Sequence, residues 1–197
     1  MITIALAVTA CTESGEPQKS ATPTLSARAD APEATTPSTP EVDPTALTYG
    51  GTASIQAGTD ESSLSSVGIR PLPAKAHGCN RYPVPGAPYL DVYAAKGRVL
   101  GVKASPTGTS AHTFNGIRIG STAAEVRAAF SGSPITEQYS GLASTNLMLV
   151  GDGSGKYLGF MFPGNRDASN TVAASARVQS IDAGTKSLAS GFEVCSG

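Results

Sequence analysis

Reactive side chains are sparse in this chain: three cysteines, two histidines and a scatter of serines and carboxylates hold the chemistry it could perform. His77-Gly78-Cys79 supplies at most two metal ligands, and no second Cys/His cluster lies nearby in sequence, so no metal centre is expected. None of the many serines occupies the Gly-x-Ser-x-Gly turn that exposes a hydrolase nucleophile, and only His77 and His112 could act as its base. A serine, one of these histidines and one of Asp91, Asp152 or Asp182 would make a hydrolase site. That arrangement stays an alternative, because a histidine set in Thr109-Ser110-Ala111-His112-Thr113 is by default a solvated linker residue.

Leu147-Met148-Leu149-Val150-Gly151-Asp152-Gly153-Ser154-Gly155-Lys156-Tyr157 has the outline of a phosphate-binding loop and fails in its particulars. Val150 stands where the first glycine is required, and Tyr157 replaces the metal-binding Ser or Thr. The residues that follow read as strand, where a helix N-terminus should meet the phosphate. A Gly-rich hairpin turn is expected there. Asp152 and Ser154 likewise lack the third acidic ligand and closing Glu of a calcium loop. No catalytic residue and no cofactor is therefore expected.

Binding chemistry is better represented. In Tyr89-Leu90-Asp91-Val92-Tyr93, period-two alternation predicts Leu90 and Val92 on one strand face with Leu100 and Val102, and Tyr89, Asp91 and Tyr93 on the other. In the same way Leu158, Phe160 and Phe162 would face a core, leaving Tyr157 and Met161 outward. Tyrosine and methionine on an open sheet face offer large contact area at modest entropic cost. Tyr89, Asp91, Tyr93, Tyr157 and Met161 are accordingly the candidate binding face; helices covering that face would instead leave the tyrosines half-buried.

The elements that must position these residues are legible from local signals. Tyr89 to Ala94 and Arg98 to Ala104 flank Ala95-Lys96-Gly97, and Leu147 to Val150 and Lys156 to Phe162 flank the Gly-rich turn, so two hairpins are predicted. Arg177 to Asp182 reads as a last strand. Thr122 and Glu125 have capping-box spacing at the start of a helix whose Val126, Ala129 and Phe130 share an inward face. Ile55-Gln56-Ala57-Gly58-Thr59 with Leu64 and Val67 lines up with Ile117-Arg118-Ile119-Gly120-Ser121 with Val126 and Ala129. Residues 96–102 line up with 154–160 in the same way. The predicted fold is α+β: two tandem helix-then-β-hairpin halves, about residues 48–110 and 111–197, forming one antiparallel-sheet domain after a disordered stalk.

The whole chain has 197 residues, a net charge of −1 and 15% charged residues, which excludes the basic stripe of a nucleic-acid binder. Residues 12 to 47 are built largely of Thr, Ser, Pro, Ala and Glu with no aromatic. Such a segment cannot bury enough apolar surface to offset its chain entropy. As a flexible coil it would separate its ends by on the order of 30 Å, and as extended polyproline-like chain by on the order of 100 Å. No apolar run approaches the roughly 20 residues that a transmembrane helix needs.

Leu6-Ala7-Val8-Thr9-Ala10-Cys11, opening directly onto this stalk, resembles a bacterial lipoprotein signal. The resemblance implies cleavage of residues 1–10, a lipid on Cys11, and a membrane partner reached through that anchor on the extracytoplasmic side. Met1 to Ala10 carries none of the usual Lys or Arg, which places the expected start of the signal upstream. With Cys11 acylated, Cys79 and Cys195 remain as one expected disulfide; two buried thiols, or a site with His77, are the alternatives. Closing a loop of about 115 residues would restrict the unfolded chain by roughly 4 to 5 kcal/mol.

Gly116-Ile117-Arg118-Ile119-Gly120-Ser121-Thr122-Ala123-Ala124-Glu125-Val126-Arg127-Ala128-Ala129-Phe130, the hairpins after it and a terminal Glu193-Val194-Cys195-Ser196-Gly197 resemble actinobacterial secreted lipoproteins. Their tandem plan is similar to that of the beta-lactamase inhibitor protein and of small barrel-assembly outer-membrane lipoproteins. The likeness implies a non-catalytic module that binds a cell-envelope protein partner, or an enzyme inhibitor, though the chain has no Trp.

Overall fold

The computed structural model describes residues 43–70, 78–104, 110–140, 144–164, 166 and 170–190. The stretch 1–42 with Cys11, and His77 and Cys195, lie outside them. The chain divides at a boundary between residues 39 and 40. All described residues lie after it.

Seven strands form one antiparallel sheet: β1 Asn80–Val84, β2 Ala87–Ala95, β3 Arg98–Ala104, β4 Ile135–Ser140, β5 Thr145–Gly151, β6 Lys156–Pro163 and β7 Ser180–Thr185. Their order is β1-β2-β3-β7-β6-β5-β4. Helical structure among the described residues is short: a 3-10 helix Glu61–Val67, α1 Ala123–Ala129 and α2 Lys186–Ala189. The architecture is thus mostly β. Both predicted hairpins form, as β2–β3 and β5–β6, and the final strand lies at Ser180–Thr185, a little later than expected.

The first expected helix is a single 3-10 segment. Its serines bond backward to carbonyls three residues earlier, Ser63 to Asp60, Ser65 to Ser62 and Ser66 to Ser63, which competes with continued α-helix. α1 has its capping box: Glu125 N donates to Thr122 Oγ1 at 3.2 Å and Thr122 N donates to Glu125 Oε2 at 2.6 Å. Val126 and Phe130 are buried from it, and Phe130 meets Phe160 with ring centroids 5.6 Å apart. Arg127 anchors α1 to the edge strand β4 by donating to Glu137 Oε1 from Nε at 3.0 Å and from Nη2 at 2.7 Å.

One sheet face carries the main core. Leu90, Val92, Ala94, Val99, Val102, Met148, Val150, Leu158, Phe160, Phe162, Ile181 and Ala183 line it beneath Leu64, Ile117, Val126, Phe130 and Val178. Packed structure also reaches further back than the boundary drawn at residue 48. Leu47 is fully buried and bridges to Thr113, so that boundary falls inside the domain.

The two halves each place a short helix before a set of strands, but they are not superposable. β3 and β6 are both antiparallel to β7, hence parallel to each other, and Val102 and Leu158 both lie beside Ala183 on the core face. Yet β2 and β5 flank them on opposite sides. Strands equal in direction and buried face, with neighbours reversed, are mirror-related, and no rotation of L-protein chain relates them. The sequence alignment of residues 96–102 with 154–160 therefore reflects a shared hairpin pattern rather than a structural repeat.

Leu100 departs from the alternation. Tyr93 pairs with Gly101 and Ala94 with Val99, which leaves Leu100 as the extra residue of a β-bulge. Val99 takes the core position and Leu100 is only partly buried. Gly101, at φ +148, permits the bend; a Cβ there would lie 2.1 Å from the Ala183 carbonyl oxygen.

Candidate functional site

The sheet face opposite the core is divided between two environments. Over β5 and β6, Leu147, Leu149 and Ala189 form a small second cluster with Tyr157 and Met161 packed against it. Ala189 belongs to α2, which starts at the Thr185 N-cap and lies across β3, β7 and β6. Gly159 makes this close approach achievable, since a Cβ on it would sit 1.9 Å from the Ala189 carbonyl oxygen. The expected open face is therefore covered on this side. Tyr157 and Met161 are half-buried packing residues.

Over β1, β2, β3 and β7 the same face carries charge. Asp91, Lys103 and Asp182 are successive cross-strand partners on β2, β3 and β7, and Arg81 reaches in from β1 beside Tyr93. Arg81 Nη2 donates to Asp91 Oδ2 at 2.7 Å, and Lys103 Nζ donates to Asp182 Oδ2 at 3.2 Å. Asp182 is fully buried and its Oδ1 has no hydrogen-bond partner; Arg81 Nε is buried and unpartnered too. Burial pushes the Asp182 carboxyl up to about 6, against the opposing pull of Lys103. Burial also raises the Tyr93 phenol.

The five predicted face residues thus separate. Asp91 and Tyr93 belong to the charged ladder, Tyr157 and Met161 to the α2 cluster, and Tyr89 packs against the main core. Arg81 and Lys103 had escaped sequence reading. Their signal was a lone charge inside an otherwise strand-forming run, Val102-Lys103-Ala104, facing the equally isolated Ile181-Asp182-Ala183.

The remaining chemical candidates resolve into structural roles. His112 places Nε2 3.3 Å from Asp43 Oδ2 and Nδ1 3.1 Å from the Ser110 carbonyl oxygen, so both ring nitrogens are engaged away from any serine hydroxyl. Asp152 accepts from Ser154 N at 2.8 Å, Ser154 Oγ at 2.6 Å and Lys156 N at 3.2 Å, an Asx-type turn that closes the β5–β6 connection. A cleft of about 520 Å³ lies between the 3-10 helix and β1, lined by Asp60, Glu61, Leu64, Ile69 and Tyr82. Its polar groups bond to one another: Glu61 accepts from the Tyr82 hydroxyl and from Asn80 Nδ2. Burial and the Glu61 carboxylate push the Tyr82 phenol up to about 12. Cys79 is fully buried just ahead of β1.

Against protein-family models, curated proteins and solved structures the chain finds no match. The resemblance to lipoproteins rests on the quoted residues alone.

Proposed function

We propose that this chain is an extracytoplasmic lipoprotein, tethered to the membrane through Cys11 and a stalk, whose sheet domain is a non-catalytic binding module at the cell envelope. What supports the reading is the lipoprotein-signal-like Val8-Thr9-Ala10-Cys11 together with the fully buried Cys79, which this reading places in a disulfide of the oxidising compartment where an acylated Cys11 would also put the protein. Cys195 is the partner this reading assigns to Cys79, because Cys11 is taken up by lipid. Two or three acyl chains hold a protein firmly where one holds it marginally. Metabolic labelling with a clickable fatty acid is expected to mark the wild type and leave Cys11→Ser unlabelled. Equal labelling of the two overturns the anchor.

The binding face we assign is the charged ladder with Tyr93, the half-buried aromatic beside Arg81 and Asp91. Aromatic and arginine anchors carry a disproportionate share of interface energy. Tyr93→Ala is expected to weaken capture of an envelope partner by on the order of 1 to 3 kcal/mol with the melting temperature little changed. Tyr157→Ala, which strips the packing under α2, should do the reverse. An inhibitor would use the same face and differs in its partner, an enzyme whose activity falls on binding. The hydrolase alternative has no support at His112, whose nitrogens are committed elsewhere.

A further inference from the structure

We propose that Lys103 and Asp182 condense to an intramolecular amide, a covalent bond between the side chains of β3 and β7. They are direct cross-strand partners on one sheet face, with Nζ 3.2 Å from Oδ2. Asp91, the other cross-strand neighbour of Lys103, shares that face. Directly opposed side chains start about 5 Å apart at Cβ, so the three groups form one compact row.

Three features favour reaction over a plain ion pair. The geometry is preorganised: strand register holds amine and carboxyl within reach and removes most of the entropic barrier to their encounter. The carboxyl is fully buried with Oδ1 unpartnered, and the upward shift from burial makes its neutral, attackable acid form accessible. The fully buried Asp182 charge has lost its hydration with only Lys103, itself 34% exposed, to offset it, so exchange of both charges for a neutral amide relieves the site.

The step balances with the residues present. The Lys103 ammonium passes a proton to the Asp182 carboxylate 3.2 Å away, giving a neutral amine and the carboxylic acid. The freed Nζ lone pair attacks Asp182 Cγ, the N–C bond forms, and one C–O bond breaks. The Asp182 hydroxyl leaves as water, taking the one further proton that Nζ gives up. Ammonium and carboxylate become an amide and one water, with no oxidant or co-reactant.

Mass spectrometry of the intact, denatured full chain tests this. Wild type, purified folded and with its disulfide reduced, is expected to be lighter than its sequence by one water, and its digest should contain a branched peptide joining Lys103 to Asp182. Lys103→Arg keeps the charge and should retain the full mass. Wild type at full mass, with Lys103 and Asp182 recovered in separate linear peptides after prolonged incubation of the folded protein, overturns the proposal. So does a water loss that persists in Lys103→Arg, since that loss would come from another site such as Asp152-Gly153.

Discussion

Phe160→Ala is expected to destabilise the domain by about 3 to 5 kcal/mol in urea unfolding, and Leu100→Ala by about 1 kcal/mol or less. Phe160 is fully buried on β6 between Met148 and Ile181 and against the Phe130 ring. Truncating it removes the transfer energy of a whole ring and leaves a cavity that neighbouring strands, fixed by their register, cannot collapse to fill. Leu100 is as apolar and sits in an equivalent strand pattern, yet the bulge turns it off the core. Equal losses at the two positions would contradict the bulge and the face assignment together.

The second large effect is a pH dependence, expected in Lys103→Arg, where the cation is kept and condensation is blocked. The Asp182 carboxyl titrates at about 6 in the folded chain against an ordinary value of 3.8. The folded state therefore holds a proton more tightly than the unfolded state between those values. Stability is fully present below about pH 4 and is lost as pH rises through about 6, by on the order of 3 kcal/mol for two units of pKa. Asp91 and Lys103 share the row with Asp182, and Arg81 and Tyr93 lie beside it. Adding Asp182→Asn should flatten the profile. Urea unfolding at a series of pH values reads this directly, and a profile unaffected by Asp182→Asn would refute the assignment.

What the sequence disclosed follows from how local each signal is. The capping box at Thr122 and Glu125, the two hairpins and the core triplet Leu158, Phe160 and Phe162 are set by residues within a few positions of one another. They stand where expected. β1 and β4 went unread because Asn-Arg-Tyr-Pro-Val and Ile-Thr-Glu-Gln-Tyr-Ser are polar edge strands with weak alternation. A bulge shifts register by inserting one residue, so period-two counting through Val99-Leu100-Gly101 assigned Leu100 to the wrong face. The candidate site was half legible. Tyr93 and Asp91 stood out by type, whereas Arg81, Lys103 and Asp182 gain meaning only when strands 79 residues apart in sequence are paired, and no local pattern records that pairing.

The position of β7 has a consequence for how this chain comes into being. Both inner strands, β3 and β6, depend for their outer hydrogen bonds on a segment that is made after the other six strands. Until Ser180–Thr185 emerges, the polypeptide is two separate meanders, each exposing a raw inner edge to any other extended chain nearby. Assembly is then a keystone event: one late, sequence-distant insertion joins both meanders at once, which makes it slow and highly cooperative. Loss of a few residues from this region would leave two incomplete sheets rather than a slightly trimmed one, and nascent chains awaiting it are the natural clients of a holding chaperone.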